Sequence, residues 1–225
     1  MARTSKTLMD MYQAMRRRFG HRGWWPGHGP LEIAIGAILT QNTNWKNVEK
    51  AIENLKAAGC MSVSALHKLS HARLAELIRP AGYFNIKAKR LKNFIARVHE
   101  SSGDDAAAFL DRPVSSLREE LLSISGIGRE TADSIILYAA GKPTFVVDAY
   151  TYRILLRHRL IAPDDDYEAI KQLFESSLPR EADLWNDYHA QLVEVGKKYC
   201  RPVARCAGCP LEAFDHDPNA APEGY

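Results

Sequence analysis

The groups in this 225-residue sequence with the means to do chemistry are a trio of thiols, a helix-opening carboxylate, a glycine-flanked turn and a pair of adjacent indoles. Cys200-x5-Cys206-x2-Cys209 crowds three thiols near the C-terminus, a spacing that suits metal ligation in a reducing compartment and not a disulfide scaffold. Cys60 stands far from them and takes no role. Asp148 follows the apolar run Val146-Val147 and opens a helix, where the helix dipole favours an ionised carboxylate; by itself this is also what an N-cap looks like. Ser125-Gly126-Ile127-Gly128 joins two amphipathic helices. Glycine tolerates positive φ and has no Cβ, so backbone N–H groups there can converge on an anion, with the positive end of the next helix beside them. Ile127 would anchor such a hairpin in the core. The product is a phosphate grip blind to sequence; an ordinary αα-turn with a glycine C-cap stays open. Trp24-Trp25-Pro26 lies in a Gly- and Pro-rich loop, and Trp45 follows Gln41-Asn42-Thr43-Asn44. Two adjacent tryptophans cannot both belong to one helical stripe. They could stack on an extruded base or close one end of the core.

The elements that must position these groups read as helices almost throughout. Apolar residues recur at helical spacing over Leu8 to Phe19, Asn44 to Leu55, Asn85 to Val98 and Ser115 to Ile124. The same reading covers Arg129 to Ala140, Ala149 to Arg157, Tyr167 to Leu178 and Leu184 to Tyr199. Leu31 to Leu39 is apolar on nearly every face and reads as a buried helix, and Ala72 to Ile78 as a short one ended by Pro80 and Gly82. Thr144 to Val147 is β-branched but too short for a strand that matters, so the expected class is all-α. A hydrophobic content of 46% supports a full core without disulfides, and no run is long enough to span a bilayer. The start, Met1 to Lys6, is not an apolar signal core, which points to a cytoplasmic protein. The net charge of +3 permits a nucleic-acid partner without demanding one.

The hairpin resembles that of the helix-hairpin-helix (HhH-GPD) DNA glycosylases of endonuclease III type, which follow it with a Gly/Pro-rich loop and a catalytic aspartate. Here Gly141-Lys142-Pro143 comes first, then Asp148-Ala149-Tyr150. Leu39-Thr40-Gln41-Asn42-Thr43 looks like the family's segment that probes the duplex, and Gly82-Tyr83 with Lys87-Ala88 like another shared element. The similarity runs over about residues 10 to 210, with the motifs in the family's order. It implies a two-lobed helical fold. Residues 29–141 would form a six-helix bundle-like lobe holding the hairpin. Residues 1–28 and 142–212 would form the second, with the catalytic Asp and the cysteine loop, and 213–225 a mobile tail. It also implies duplex DNA with damaged bases as partner, a monomer, and nucleoid association through DNA.

For Asp148 the resemblance implies a fixed anion that stabilises the oxocarbenium character of the sugar as the N-glycosidic bond breaks, and that helps position the attacking water. Bifunctional relatives carry a lysine at the position of Glu130, whose amine forms a Schiff base and allows strand cleavage. A carboxylate forms no imine, and Arg129 stays protonated. The implied enzyme is monofunctional, with Lys142 as a conceivable substitute amine. Trp-Trp-Pro followed by Leu-Thr-Gln-Asn-Thr and an aromatic resembles the 3-methyladenine glycosylases of the group. Their alkylated purines are cationic and favoured by electron-rich rings. Gln41 is the candidate to fill the gap left by the flipped nucleotide, and Tyr150 a candidate pocket residue. The family's cysteine loop has four thiols around a [4Fe-4S] cluster. Here the first gap is one residue shorter and the fourth position falls on Asp215, next to His216. The cluster is the first expectation, zinc held by three Cys and one His the second, a metal-free loop the third. Two other functions remain: an endonuclease III-type glycosylase and lyase acting on oxidised pyrimidines, and a DNA-damage-binding module without catalysis.

Overall fold

The computed structural model describes residues 2–220, and the described residues are helical with no strand. In chain order α1 spans Ala2–Phe19, α2 Pro30–Leu39, α3 Trp45–Ala57, α4 Val63–Lys68 and α5 His71–Leu77. After a 3-10 turn at Arg79–Ala81, α6 spans Phe84–Ser102, α7 Ala106–Leu110, α8 Val114–Ser123 and α9 Arg129–Ser134. A π-helical turn at Ile135–Ala139 follows, then α10 Ala149–Arg157, α11 Tyr167–Ser177 and α12 Ala182–Lys198. No helix among the described residues is long and apolar enough to cross a membrane.

Short polar residues set the helix starts. Asn44, Ser62, Ser70, Asp105, Asp148 and Asp166 each accept a hydrogen bond from a backbone N–H three residues on, which satisfies a donor the helix leaves orphaned. Pro30 sits at the first position of α2, where its fixed φ suits the helix and its missing N–H costs nothing.

The chain divides into two compact units: residues 25–142, and residues 1–24 with 143–225, of which 221–225 and Met1 lie outside the described residues. In the first unit α2 is buried along Ala34–Leu39 and belongs to one buried apolar cluster with Val48, Ile52, Leu91, Phe94, Ile95, Leu121 and Ile135. Lys87 is also fully buried there. Its ammonium donates to the Leu39 carbonyl (2.9 Å) and the Ala81 carbonyl (2.8 Å), which ties off the end of α2 and the 3-10 turn. Burial first, and Arg90 second, lower its pKa to about 8. The second unit is built on aromatics: Phe145 stacks on Phe174 at 3.7 Å, Tyr12 on Tyr188 at 5.2 Å, and Trp185 meets Phe145 edge-on.

The expected continuous helix from Arg129 to Ala140 differs in its second half. The Ala140 N–H reaches back five residues to the Ile135 carbonyl (3.0 Å), which widens the turn. Every residue of that turn is buried, so its apolar pattern carries no period by which the wider turn could be read. Within the expected tail, the Asp217 N–H donates to the Arg157 carbonyl (2.7 Å) and Arg157 Nε to the Ala220 carbonyl (3.1 Å).

Candidate active site

The hairpin between α8 and α9 uses its two glycines differently. Gly126 has φ 98°, and a Cβ there would come 2.2 Å from Arg90 Cγ. Both its backbone and its neighbour therefore exclude a side chain. Gly128 has an ordinary extended φ of −91°, and a Cβ there would meet nothing within 4 Å. The fold itself does not require glycine at that position, so the open space over Gly128 is available to something outside the chain. Ile127 is 5% exposed and its N–H donates to the Ile124 carbonyl at 3.0 Å. The Ser125 carbonyl accepts from Asn93 Nδ2 at 2.9 Å. Glu130 is exposed in the first turn of α9.

Gln41, just past α2, is tied to this hairpin. Its Nε2 donates to the Gly126 carbonyl (3.3 Å) and Thr131 Oγ1 (2.8 Å), and Arg90 Nη1 donates to its Oε1. A role for Gln41 inside a duplex would have to break these bonds. The neighbouring Asn42 is exposed with φ 53°.

The two adjacent tryptophans part company. Trp25 stacks on Tyr138 (4.9 Å, 30°) and meets Trp45 edge-on (5.1 Å, 85°). Gly36 of α2 lies beneath them: a Cβ there would stand 3.2 Å from Trp25 Nε1 and 3.4 Å from Trp45. Trp45 Nε1 donates to Glu49 at 2.6 Å. Trp24 lies in the other unit with the Lys197 ammonium 5.5 Å from its ring centroid. Pro26 is exposed in the loop. Tyr138 was not foreseen as a member of the aromatic group. It sits on the π-helical turn, and only the register of that turn brings it to Trp25.

Asp148 caps α10. Its Oδ1 accepts from the Thr151 N–H (2.7 Å) and Thr151 Oγ1 (2.9 Å). Its Oδ2 faces His189 Nε2 at 3.6 Å, with the Asp148 side chain 13% exposed and that of His189 6%. Burial by itself would raise the carboxyl pKa; His189 and the two Thr151 donors outweigh it and hold the group below the usual carboxylate range. His189 comes from α12, remote from Asp148 in sequence, and the only sign of it was a histidine among the apolar residues Tyr188, Ala190, Leu192 and Val193. Tyr150, the other pocket candidate, lies against Gly196 of α12, where a Cβ would come 2.3 Å from its ring, and Arg153 sits 5.4 Å over it.

At the far end of α10, Arg153 Nε donates to the Cys200 carbonyl (2.7 Å), and Arg157 Nη1 to the Arg201 carbonyl (2.7 Å) and to Cys200 Sγ (3.2 Å). Cys200, Cys206, Cys209, His158 and His216 line one small cavity of about 20 Å³. Both histidines spend Nδ1 on a backbone carbonyl, His216 on Phe214 (2.8 Å) and His158 on Asp215 (3.0 Å), which leaves Nε2 as the nitrogen able to ligate. Burial lowers the His158 pKa to about 4 and pushes the Cys209 thiol up to about 11. The Asp215 side chain is 79% exposed, pairs with Arg159 at 3.4 Å and is not part of the cavity lining. Among the described residues no group of three His, Cys, Asp or Glu converges as one metal ion requires. A tetrahedral zinc needs its thiolates about 2.3 Å from a single centre.

An all-helical chain with a glycine hairpin, an aromatic group and a helix-capping aspartate has the build of a helix-hairpin-helix DNA-repair enzyme. The family described as "HhH-GPD superfamily base excision DNA repair protein" matches residues 35–180. A protein of Methanocaldococcus jannaschii named "Putative DNA repair glycosylase MJ1434" is 46% identical over 208 residues, covering 92% of this chain and 94% of that one. Endonuclease III of Thermotoga maritima is 31% identical over 77% of this chain and 76% of its own. The fold is similar to that of H. pylori 3-methyladenine DNA glycosylase (MagIII) bound to 1,N6-ethenoadenine. The TM-score is 0.74 and the identity 28%, over 87% of this chain and 97% of that chain. It is also similar to an endonuclease III in a non-covalent DNA complex, with TM-score 0.80 and identity 20% over 95% and 96% of the two chains. The chain belongs to the HhH-GPD superfamily, in its endonuclease III-like branch, and is a DNA repair glycosylase.

Proposed function

We propose that the enzyme hydrolyses the N-glycosidic bond of an alkylated purine such as 3-methyladenine, flipped from duplex DNA, and leaves the strand intact. The observation that carries the substrate class is the group of three electron-rich rings, Trp25 and Trp45 against Gly36 and Tyr138 stacked on Trp25. A base alkylated at N3 or N7 is cationic, so its bond is already weak and an aromatic surface attracts it. No strong general acid is then needed for the leaving base. The 28% identity to a 3-methyladenine glycosylase supports the same reading.

Asp148 supplies the anion. Thr151 occupies Oδ1, and the carboxyl remains ionised across the neutral range. It stabilises positive charge as it develops on the sugar and orients the attacking water. The Ser125–Gly128 hairpin offers its amides to a phosphate, and the side-chain-free space over Gly128 lets the backbone approach. Two observations favour hydrolysis without strand cleavage. Glu130, in the first turn of α9, falls at the position where the family resemblance implies that a lyase carries its amine. Lys142, the conceivable substitute, donates to the Arg112 carbonyl at 2.6 Å and pairs with Asp111 at 3.3 Å.

Cys200, Cys206 and Cys209 would hold a [4Fe-4S] cluster with His216 as fourth ligand in place of Asp215, and the cluster would serve to fix the loop carrying Arg201 and Arg205. A panel of duplex oligonucleotides, each with one lesion, tests the function. Release of methylated purines without strand breaks is expected; breaks appearing without alkali or heat would instead favour the lyase reading. Binding of lesions without release of any base would favour a recognition module.

A further inference from the structure

A largely buried carboxylate can be lost to catalysis in two ways: it can turn about its Cβ–Cγ bond, or it can take up a proton. Thr151 restrains only Oδ1 of Asp148, through its N–H and its hydroxyl. The remaining oxygen, Oδ2, has the His189 imidazole Nε2 before it at 3.6 Å. The imidazole is itself held still. It rises from the middle of α12, where its side chain is 6% exposed. α10 and α12 cannot slide past each other, because the Tyr150 ring fills the space of the absent Gly196 side chain and Arg153 clasps the Cys200 carbonyl. The groups facing the carboxylate are thus Thr151 from its own helix and His189 from the neighbouring one.

We propose that His189 is the positioning residue of Asp148, fixing the direction of Oδ2 so that a stationary carboxylate is presented to the sugar. The proposal rests on Asp148 being the carboxylate that stabilises the oxocarbenium ion. His189 acts through Asp148 and makes no bond to substrate. Its removal should lower the rate of the chemical step and leave DNA affinity as it was.

The test uses the full chain, single-turnover release of bases from duplex DNA methylated with dimethyl sulfate, and affinity for a duplex carrying a tetrahydrofuran abasic analogue. His189→Leu is expected to slow release by about 10- to 100-fold, the scale of a misplaced catalytic group, with unchanged affinity for the abasic duplex. Its acid limb moves up in pH, because burial then acts on the carboxyl with only Thr151 against it. His189→Gln, which keeps a donor, should recover to within about tenfold of the native rate. In an Asp148→Asn background, His189→Leu should cost nothing further, because the group through which it acts is gone. A native release rate in His189→Leu, or an equal added loss in the Asp148→Asn background, overturns the proposal. Should His189→Leu fail to fold, His189→Gln and His189→Met are compared instead, being close in volume and different in donor; equal rates overturn it. If Asp148→Asn itself releases bases at the native rate, the assignment of Asp148 falls, a separate failure from that of His189.

Discussion

Residues 25–142 spend their polar side chains on themselves, whereas the unit formed by 1–24 and 143–220 keeps ionisable groups at their stations. In the first, Gln41 is bound to Gly126, Thr131 and Arg90, Lys87 to Leu39 and Ala81, and Lys142 to Asp111 and Arg112. The backbone at Gly126–Gly128 is exposed there except at Ile127. In the second, one nine-residue helix, α10, carries Asp148 at its start and, through Arg153 and Arg157 near its end, the cysteine loop. The second unit sets ionisable groups beside one another, as at Asp148 and His189.

If that contrast is right, removing charge should hurt the chemistry far more than the fold. Asp148→Asn keeps an N-cap acceptor, so the chain should fold, while single-turnover base release falls by about 10²- to 10³-fold. A melting curve beside a release assay decides it. The converse holds for Lys87→Met, which leaves the Leu39 and Ala81 carbonyls without a donor. It should cost about 2–3 kcal/mol of stability by denaturant titration, with the chemical step untouched once the protein is folded.

The hairpin sharpens the comparison within the first unit. Gly126→Ala meets Arg90 and a positive φ, and should cost about 1–2 kcal/mol of stability. Gly128→Ala meets neither, and should change stability by less than about 0.5 kcal/mol. Its effect should appear as roughly tenfold weaker DNA binding, or about 1.4 kcal/mol. Equal effects of the two substitutions on stability would break the distinction. The smallest expected effect is in pH. The Asp148 carboxyl lies below its unfolded value, so the stability it contributes is present above the usual carboxylate range and is lost only as pH falls through the lowered folded value. Acid unfolding of Asp148→Asn should lack that increment.

Much of this was legible along the chain. The spacing of most helices, the cap at Asp148 and the turn at Ser125–Gly128 are local patterns, and the structure has them where the sequence placed them. The aromatic group was half legible. Trp25 and Trp45 stand out by their type and loop position, but Tyr138 hides in a run that is apolar on every face. The expectation that Gln41 is poised to enter a duplex rested on its place after α2, and nothing local shows that its amide is bonded to the hairpin.

By itself the sequence determined the all-helical class and the family, because each depends on residue type and on spacing within a few turns. Only the tertiary structure decided which glycine of the hairpin is free to face a ligand, which histidine stands before Asp148, and that His216, unlike Asp215, lines the cysteine cavity. Those outcomes depend on where α6 crosses the hairpin, how α10 and α12 register against each other, and how the last loop folds back on Arg157. They come from contacts between elements distant in the chain, which no local period encodes.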